Sequence, residues 1–387
     1  MRRGTIVGVA AGAVAVTAGA AVLAVGLTTS DHAPPQTAPA PGATSTPLPS
    51  DESGAPELDA PALAATFLDE WVEDGRVVRR DEGGDTVSEG QAYGLFAAVI
   101  ADDEQSFDEI WDWTTEELVR SDGLMAWRWD DGSVVDDEPA SDADLDAARA
   151  LVLAGDRFDR ADLHEAGVDL ATVIADRLTV ETERGRILLP GLWAADREPY
   201  AYNPSYASPV AYEVLGDATG DPRWAELEAG SASVTAEILG ATDLPPDWAQ
   251  VHLDGRIDPM PGPLGEGDPV QYGFDAPRLM LRYAESCSSD DVALAGLPLA
   301  TLDREENVAS RLDLGGGPLS DEQSALGFTA RAASAQASGD AAASTADLER
   351  AAALTAEYPT YYGAAWVMLA TAMLTGDSLG GCATGTV

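Results

Sequence analysis

Three acidic positions stand at the beginning of apolar stretches, and carboxylates so placed could carry acid and base chemistry. They are Glu89, the pair Asp142 and Asp144, and Asp275. A general acid must hold its proton near neutral pH, whereas a general base must have lost it, and different surroundings can divide these roles between two carboxylates. Cleavage of glycosidic bonds is the reaction that most often uses such a pair. Any single one of these acids could equally be a helix cap or a partner of the helix dipole.

Aromatic residues lie close to these acids in the sequence. Trp127 and Trp129 come shortly before Asp142, and the turn Asn203-Pro204-Ser205-Tyr206 lies between two of the acidic motifs. Sugar rings bind on flat apolar platforms, which indole and phenol rings provide. The two indoles could instead belong to the core, and the sequence alone leaves both interpretations open.

The pattern of apolar residues from about Leu58 onward is helical nearly throughout. Leu63, Phe67 and Trp71 follow one helical face, and short β-branched runs with strand periodicity are scarce. About twelve helices are expected. The later ones are predicted near residues 142–156, 161–179, 207–216, 222–239, 274–287, 290–309, 321–338, 344–354 and 360–375.

The polar motifs recur at the beginning of every second helix. Glu89 heads the second helix, Asp142 the fourth and Asp275 the eighth; the Asn203 turn precedes the sixth, and a tyrosine-rich segment at 358–362 enters the twelfth. In a barrel of alternating outer and inner helices, all inner helices run in one direction. Their N-termini, and with them the motifs, should therefore meet at one mouth.

Composition excludes several classes of function. Acidic residues outnumber basic ones 67 to 22, for a formal net charge of -45, so clustered cations for nucleic acid are lacking. The two cysteines, Cys287 and Cys382, and the three histidines do not form a zinc ligand set, and no nucleophilic serine motif is present. No metal or cofactor is expected. The cysteines could form a disulfide in an oxidising compartment.

The N-terminal segment predicts export. Arg2 and Arg3 precede an apolar run at residues 5–27, which is long enough to span a bilayer, and no clean cleavage site follows it. We assign residues 1–28 to a signal peptide or a membrane anchor that holds the chain at the cell surface. Residues 29–58 form a linker rich in Pro, Ala, Ser and Thr, expected to be disordered or to adopt the polyproline II conformation, and residues 59–387 form the catalytic domain.

Six motifs in the order of the chain resemble glycoside hydrolase family 8, a family of bacterial endoglucanases. The resemblance covers about residues 60–376. The motifs are Ser88-Glu89-Gly90-Gln91-Ala92-Tyr93-Gly94, Ala140-Ser141-Asp142-Ala143-Asp144, Leu188-Leu189-Pro190-Gly191, Asn203-Pro204-Ser205-Tyr206, Pro246-Asp247-Trp248 and Phe274-Asp275-Ala276-Pro277-Arg278.

The resemblance implies an all-α fold, an (α/α)6 barrel, and inverting endo-hydrolysis of a β-1,4-linked glucan. We expect the catalytic domain to be monomeric. Glu89 is similar to the general acid and Asp275 to the general base, while Asp142 resembles the acid that contacts the sugar at the cleavage subsite. Substrate contacts are implied for five residues. They are Trp127, which would stack on a sugar, Tyr206, Arg278, which would hold Asp275 or the sugar, Asn203 and Tyr93.

Two departures from the family pattern concern the substrate. Ala147 stands where the family usually has Ile or Met, and Phe274 where it often has Tyr. A chitosanase or xylanase of the same family is therefore an alternative. A non-catalytic glycan-binding protein or a helper of polysaccharide synthesis is another, although a binding module has no need for an acid and a base.

Overall fold

Twelve helices of seven or more residues form the fold within residues 58–267 and 269–382, the part of the chain that the computed structural model describes. An additional single helical turn spans Leu299–Leu302. In chain order the twelve are α1 (Ala60–Trp71), α2 (Ser88–Ala101), α3 (Glu104–Glu117), α4 (Ser141–Arg157), α5 (Ala161–Arg177), α6 (Pro209–Thr219), α7 (Arg223–Ala241), α8 (Arg278–Ala284), α9 (Ser289–Gly296), α10 (Ala325–Ala337), α11 (Ala341–Glu357) and α12 (Tyr361–Thr375).

The even-numbered helices form a closed inner ring. Each packs against the next even-numbered helix, from α2 through α4, α6, α8 and α10 to α12, which returns to α2. The odd-numbered helices lie outside this ring, each against at least one of its neighbours in the chain. This arrangement confirms the predicted (α/α)6 barrel and its alternation of outer and inner helices.

Side-chain polarity explains which helices are inside. In α2 and α12 nearly every residue is apolar or small, and nearly every residue is buried. In α3 and α5 the buried residues recur along one face only, and charged residues cover the other face. A helix that is apolar all round is stable only when it is covered on all sides, whereas an amphipathic helix belongs at the surface.

Glycines let inner helix α4 and outer helix α5 approach closely. A Cβ atom at Gly155 would lie 2.6 Å from the Cβ atom of His164, and one at Gly167 would lie 2.8 Å from Cγ2 of Val152. Both distances are too short for a real side chain. The two glycines therefore make this helical hairpin one of the tightest contacts in the barrel wall.

Ten strands of two to four residues lie in the connections between helices of the described part, more than the sequence pattern predicted. Strands this short span at most two periods of alternation, which is too few to stand out in the sequence. They form four small antiparallel sheets: β1 (Val72–Glu73) with β2 (Arg76–Val77); β3 (Thr86–Val87), β4 (Arg128–Asp130) and β5 (Ser133–Asp136); β6 (Thr179–Thr182) with β7 (Gly185–Leu188); and β8 (Tyr200–Tyr202), β9 (Trp248–Val251) and β10 (Ile257–Met260).

Two predicted helix boundaries were wrong, and proline is the reason in both cases. The helix predicted at 274–287 begins only at Arg278, because the residue before Pro277 is disfavoured in helical conformation. Asp275 thus lies in the loop that precedes α8. The helix predicted at 290–309 ends at Gly296, and Pro298 separates it from the single turn that follows.

Cys287 and Cys382 form a disulfide across a sequence separation of 95 residues, with their Cα atoms 5.0 Å apart. The amide of Cys382 also donates to the carbonyl of Glu285 at 2.9 Å. Both bonds fasten the segment after α12 to the end of α8.

The predicted export segment at 1–28 and all of the predicted linker except Leu58 lie outside the described residues. Among the residues that are described, no helix has the length and apolar character needed to cross a membrane.

Candidate active site

One buried arginine gathers the three predicted carboxylates at the mouth of the barrel. Nη1 of Arg278 donates to Oε2 of Glu89 at 3.0 Å and to Oδ2 of Asp142 at 3.1 Å, and its Nη2 donates to Oδ1 of Asp275 at 2.5 Å. The Arg278 side chain is 1% exposed. The beginnings of α2, α4 and α8 therefore converge as the sequence predicted.

The three carboxylates differ in their access to solvent. The side chains of Glu89 and Asp275 are 25% and 31% exposed, whereas that of Asp142 is 4% exposed. Because Glu89 and Asp275 bind nitrogens of one planar guanidinium, their bound oxygens lie within about 8 Å of each other. Glu89 and Asp275 thus face the open mouth as a pair, and Asp142 lies beneath them.

The surroundings hold protons on two of these acids more firmly than usual. Burial raises the pKa of Asp142 to about 8, and the nearby Glu89 carboxylate adds to the effect while Arg278 opposes it. Burial also raises the pKa of Asp275, to about 6, with Arg278 again acting against the increase. The mouth therefore contains carboxyl groups in different protonation states near neutral pH.

The pairing of β3 with β4 brings the backbone of Trp127 next to the start of α2. Strand β3 pairs with β4 and leads directly into α2. The amide of Ser88, the residue before Glu89, donates to the carbonyl of Trp127 at 2.9 Å. Trp127 is half-buried and does not belong to the apolar core, whereas Trp129 packs against that core. The backbone of Trp127 therefore lies next to the start of α2, one residue before Glu89.

The two acids that open α4 have different tasks. Oδ1 of Asp144 accepts a hydrogen bond from the amide of Met125 at 2.9 Å, which ties the helix start to the segment before β4. Asp142 instead directs Oδ2 to Arg278, while its other oxygen, Oδ1, is buried and has no hydrogen-bond partner among the described residues.

A series of buried ion pairs supports Arg278 from below. Helices α4 and α8 lie on either side of α6 in the inner ring, and Asp146 pairs with Arg282 one turn beneath the Asp142–Arg278 contact. A turn further down, Arg149 binds Glu285 through two hydrogen bonds of 2.8 and 2.9 Å, with both side chains fully buried. Every member of this series is paired, so the charges inside the barrel are compensated.

The aromatic wall of the mouth includes Tyr206 and a tyrosine that sequence reasoning did not assign to the site. Tyr206 is half-buried, and the Arg278 guanidinium carbon lies 5.4 Å from the centre of its ring. Tyr362, in the first turn of α12, donates its hydroxyl to the carbonyl of Phe274 at 2.9 Å. The tyrosine-rich segment at 358–362, at the start of the twelfth helix, was the sequence feature that could have indicated Tyr362.

Two residues with implied substrate contacts are buried. Tyr93 is 0% exposed, and its hydroxyl accepts from Nη1 of Arg278 at 3.5 Å, so it lies behind the arginine. Asn203 is 1% exposed; its Oδ1 accepts from the amide and hydroxyl of Ser205, and within the described part of the chain its Nδ2 forms no well-aligned hydrogen bond. The Asn203 side chain is nevertheless close enough to Asp275 to lower the pKa of that acid.

No group of three or more His, Cys, Asp or Glu side chains in the described part of the chain has the geometry to hold a metal ion. The guanidinium of Arg278 is the cation that the three carboxylates share.

The fold and the site together define the class of protein: an (α/α)6 barrel with an acidic site at the N-terminal ends of its inner helices. The model of the family described as glycosyl hydrolases family 8 matches residues 67–281, and the chain belongs to this family.

Individual relatives agree with this assignment. A probable endoglucanase of Novacetimonas hansenii is 33% identical over 216 residues, which are 54% of this chain and 62% of that protein. The chain thus matches about three fifths of that relative's length. The endo-1,4-D-glucanase structure from Vibrio fischeri ES114 superposes with a TM-score of 0.70 at 23% identity, covering 80% of this chain and 94% of that one. The endo-beta-1,4-glucanase CMCax from Acetobacter xylinum gives 0.67 at 25% identity, covering 81% and 96%.

Proposed function

We propose that this protein is an inverting endo-glucanase that hydrolyses a β-1,4-linked glucan, with Glu89 as general acid and Asp275 as general base. The observation that carries the proposal is the placement of both carboxylates on one guanidinium, open to the mouth. Inverting enzymes keep their two carboxylates roughly 6.5–9.5 Å apart to admit a water molecule. The shared contact with Arg278 limits the distance between the bound oxygens of Glu89 and Asp275 to about 8 Å, which overlaps with this range. The endoglucanase relatives support the glucan substrate.

In the proposed reaction, Asp275 removes a proton from a water molecule as its oxygen forms a bond to the anomeric carbon. The bond from that carbon to the bridging oxygen breaks, and Glu89 gives its proton to this leaving oxygen. Oδ1 of Asp275 is occupied by Arg278, so Oδ2 is the oxygen that takes the proton. The product anomer has the opposite configuration to the bond that was cleaved.

Asp142 supports the sugar at the point of cleavage in this proposal. With its pKa raised to about 8, it holds a proton at neutral pH and can donate as well as accept a hydrogen bond. Its unpartnered Oδ1 would bind a sugar hydroxyl, and Trp127 would provide the stacking surface. The side-chain amide of Asn203, which lowers the pKa of Asp275, would hold that carboxylate in its ionised form beside the water.

A reducing-sugar assay tests the proposed substrate. Carboxymethyl-cellulose, mixed-linkage glucan, xylan and chitosan are compared at equal concentration, and NMR follows the anomeric protons of the first products. We expect the highest kcat/KM on the β-1,4-glucans and products of inverted configuration. Retained configuration, or activity confined to chitosan or xylan, would contradict the proposal as stated.

The activity should rise with pH through about 6, up to the pH at which the general acid begins to lose its proton. Asp275 must be deprotonated to act as a base, and its pKa of about 6 sets the acidic limb of the kcat/KM profile. The measurement is kcat/KM on a soluble glucan from pH 4 to 8, with circular dichroism at each pH to show that the protein stays folded. A profile that is flat between pH 5 and 7 would exclude Asp275 as the base.

Replacing Trp127 with Ala should raise KM about tenfold and lower kcat much less. Loss of the stacking surface removes binding energy on the order of 1 kcal/mol. The bound substrate and the transition state lose it equally, so KM rises while kcat changes little. Trp129→Ala is the matched control, because Trp129 packs against Trp113 with ring centres 5.5 Å apart and belongs to the core side. That variant should lose thermal stability but keep its KM. Equal KM changes in both variants would show that Trp127 is a structural residue.

We also propose that the domain acts outside the cytoplasm. The apolar run at 5–27 supports export, and the Cys287–Cys382 disulfide suits an oxidising compartment. A fractionated cell extract tests this: the full-length protein should be found in the membrane or extracellular fraction, and recovery in the cytoplasmic fraction would contradict it.

A further inference from the structure

The carboxylate of Asp247 organises the backbone that carries Asp275. Its Oδ1 accepts three backbone hydrogen bonds, from the amides of Gly273 at 2.9 Å, Asp275 at 3.2 Å and Ala276 at 2.9 Å. Three amides that converge on one oxygen form an anion-binding concavity. Helix α8 has no side-chain cap of its own, so the loop before it depends on this contact.

Asp247 is itself held by a different part of the fold. It immediately precedes β9, the central strand of the β8–β9–β10 sheet, and its amide donates to the carbonyl of Gln271 at 2.8 Å. Oδ2 accepts from Nε2 of Gln271 at 3.2 Å, and the residue is 8% exposed. The fit is close, since a Cβ atom at Gly273 would lie 2.6 Å from this Oδ2. The sheet, through Asp247, therefore fixes the position of the loop.

We propose that Asp247 is a positioning residue for the reaction, which holds the Asp275 backbone while Arg278 holds the Asp275 side chain. The inference rests on the proposed function, because the exact place of Asp275 matters only if Asp275 is the base. Two independent anchors, one from the sheet and one from α8, leave the carboxylate little freedom. A base held in this way meets the water in a productive geometry.

The charge of Asp247 also bears on the proton affinity of Asp275. Its negative charge raises the pKa of Asp275, as does that of Glu89, whereas Arg278 lowers it. The other titratable groups that face Asp275 come from the beginnings of α4 and α12 and from the turn before α6. They are Asp142, Tyr362 and Tyr206.

Two variants of the full-length chain separate geometry from charge. Asp247→Asn keeps an oxygen that can accept the three amides and loses the charge, so the acidic limb of the kcat/KM profile should move to lower pH by about half a unit. Asp247→Ala removes the acceptor as well, so kcat should fall on the order of 100-fold with little change in KM. Asp258→Asn, on strand β10 of the same sheet, removes an equal charge away from the loop and should leave both quantities unchanged.

A second measurement does not depend on turnover. The carboxyl carbon-13 signal of Asp275, assigned by its loss in Asp275→Asn, is titrated in wild type and in Asp247→Asn. We expect a lower pKa for Asp275 in the variant. If the pKa of Asp275 is unchanged in Asp247→Asn and kcat is unchanged in Asp247→Ala, Asp247 is not a positioning residue. If the wild type hydrolyses none of the glycans but the titration moves as expected, the proposed function fails while the contact between the two acids stands.

Discussion

Replacing Glu89 with Gln should reduce hydrolysis of an unactivated glucan by a factor of about 10²–10⁴ and leave glucan binding nearly unchanged. Gln has the shape of Glu and can still accept the hydrogen bond from Arg278, but it has no acidic proton to give to the leaving oxygen. The loss should therefore appear in kcat. Binding of a soluble oligosaccharide, followed by isothermal titration calorimetry, should remain within a few-fold of the wild-type value.

A substrate with an activated leaving group sharpens this test. An aryl glycoside whose phenolate leaves without protonation does not need a general acid, so Glu89→Gln should lose far less activity on it than on the glucan. Glu104→Gln is the matched control, because Glu104 also lies in the first turn of a helix, α3, but on the outside of the barrel. Full activity in Glu89→Gln, or an equal loss on both substrates, would remove Glu89 from the role of acid.

The alternation of motifs along the chain predicted the barrel because two independent patterns agreed. Helical periodicity predicted the number of helices, and polar residues at the start of every second helix distinguished inner helices from outer ones. Glu89 and Asp142, separated by about fifty residues, could thus be placed at one mouth from the sequence alone. Their shared contact with Arg278 follows from the common direction of the inner helices.

Features built from loops and short strands could not be predicted in the same way. The grouping of Gly273, Asp275 and Ala276 around Asp247 depends on how two connections fold over the barrel, and nothing in local periodicity encodes such an approach. Likewise, Tyr93 lies in a helix buried on all sides, so its position behind Arg278 depends on the rotation of α2 by a fraction of a turn. Motif spacing specifies which helix ends meet, not which face of each helix is covered.

Replacing Arg278 with Met should lower the free energy of unfolding by about 3–5 kcal/mol at neutral and higher pH, because it leaves carboxylates crowded without their cation. Arg278 lowers the pKa of both Asp142 and Asp275, so both values should rise further in the variant. For a group with a raised pKa in the folded state, stability is lost as pH rises through that pKa. The destabilisation should therefore be larger at pH 8 than at pH 5, as urea unfolding at the two pH values would show.

The same variant should lose activity and move its pH profile in the direction opposite to that expected for Asp247→Asn. Without the guanidinium, Asp275 keeps its proton to a higher pH, so the acidic limb should shift upward, and kcat should fall at least about 100-fold because both carboxylates lose their anchor.

Arg331→Met is the matched control for Arg278→Met. Arg331 forms a buried ion pair with Asp347 between α10 and α11, away from the mouth, so its loss should destabilise the fold without moving the acidic limb. A shift in the control as large as that in Arg278→Met would mean that the change reports general loosening of the barrel. A shift confined to Arg278→Met would tie the proton affinity of the base to this one arginine.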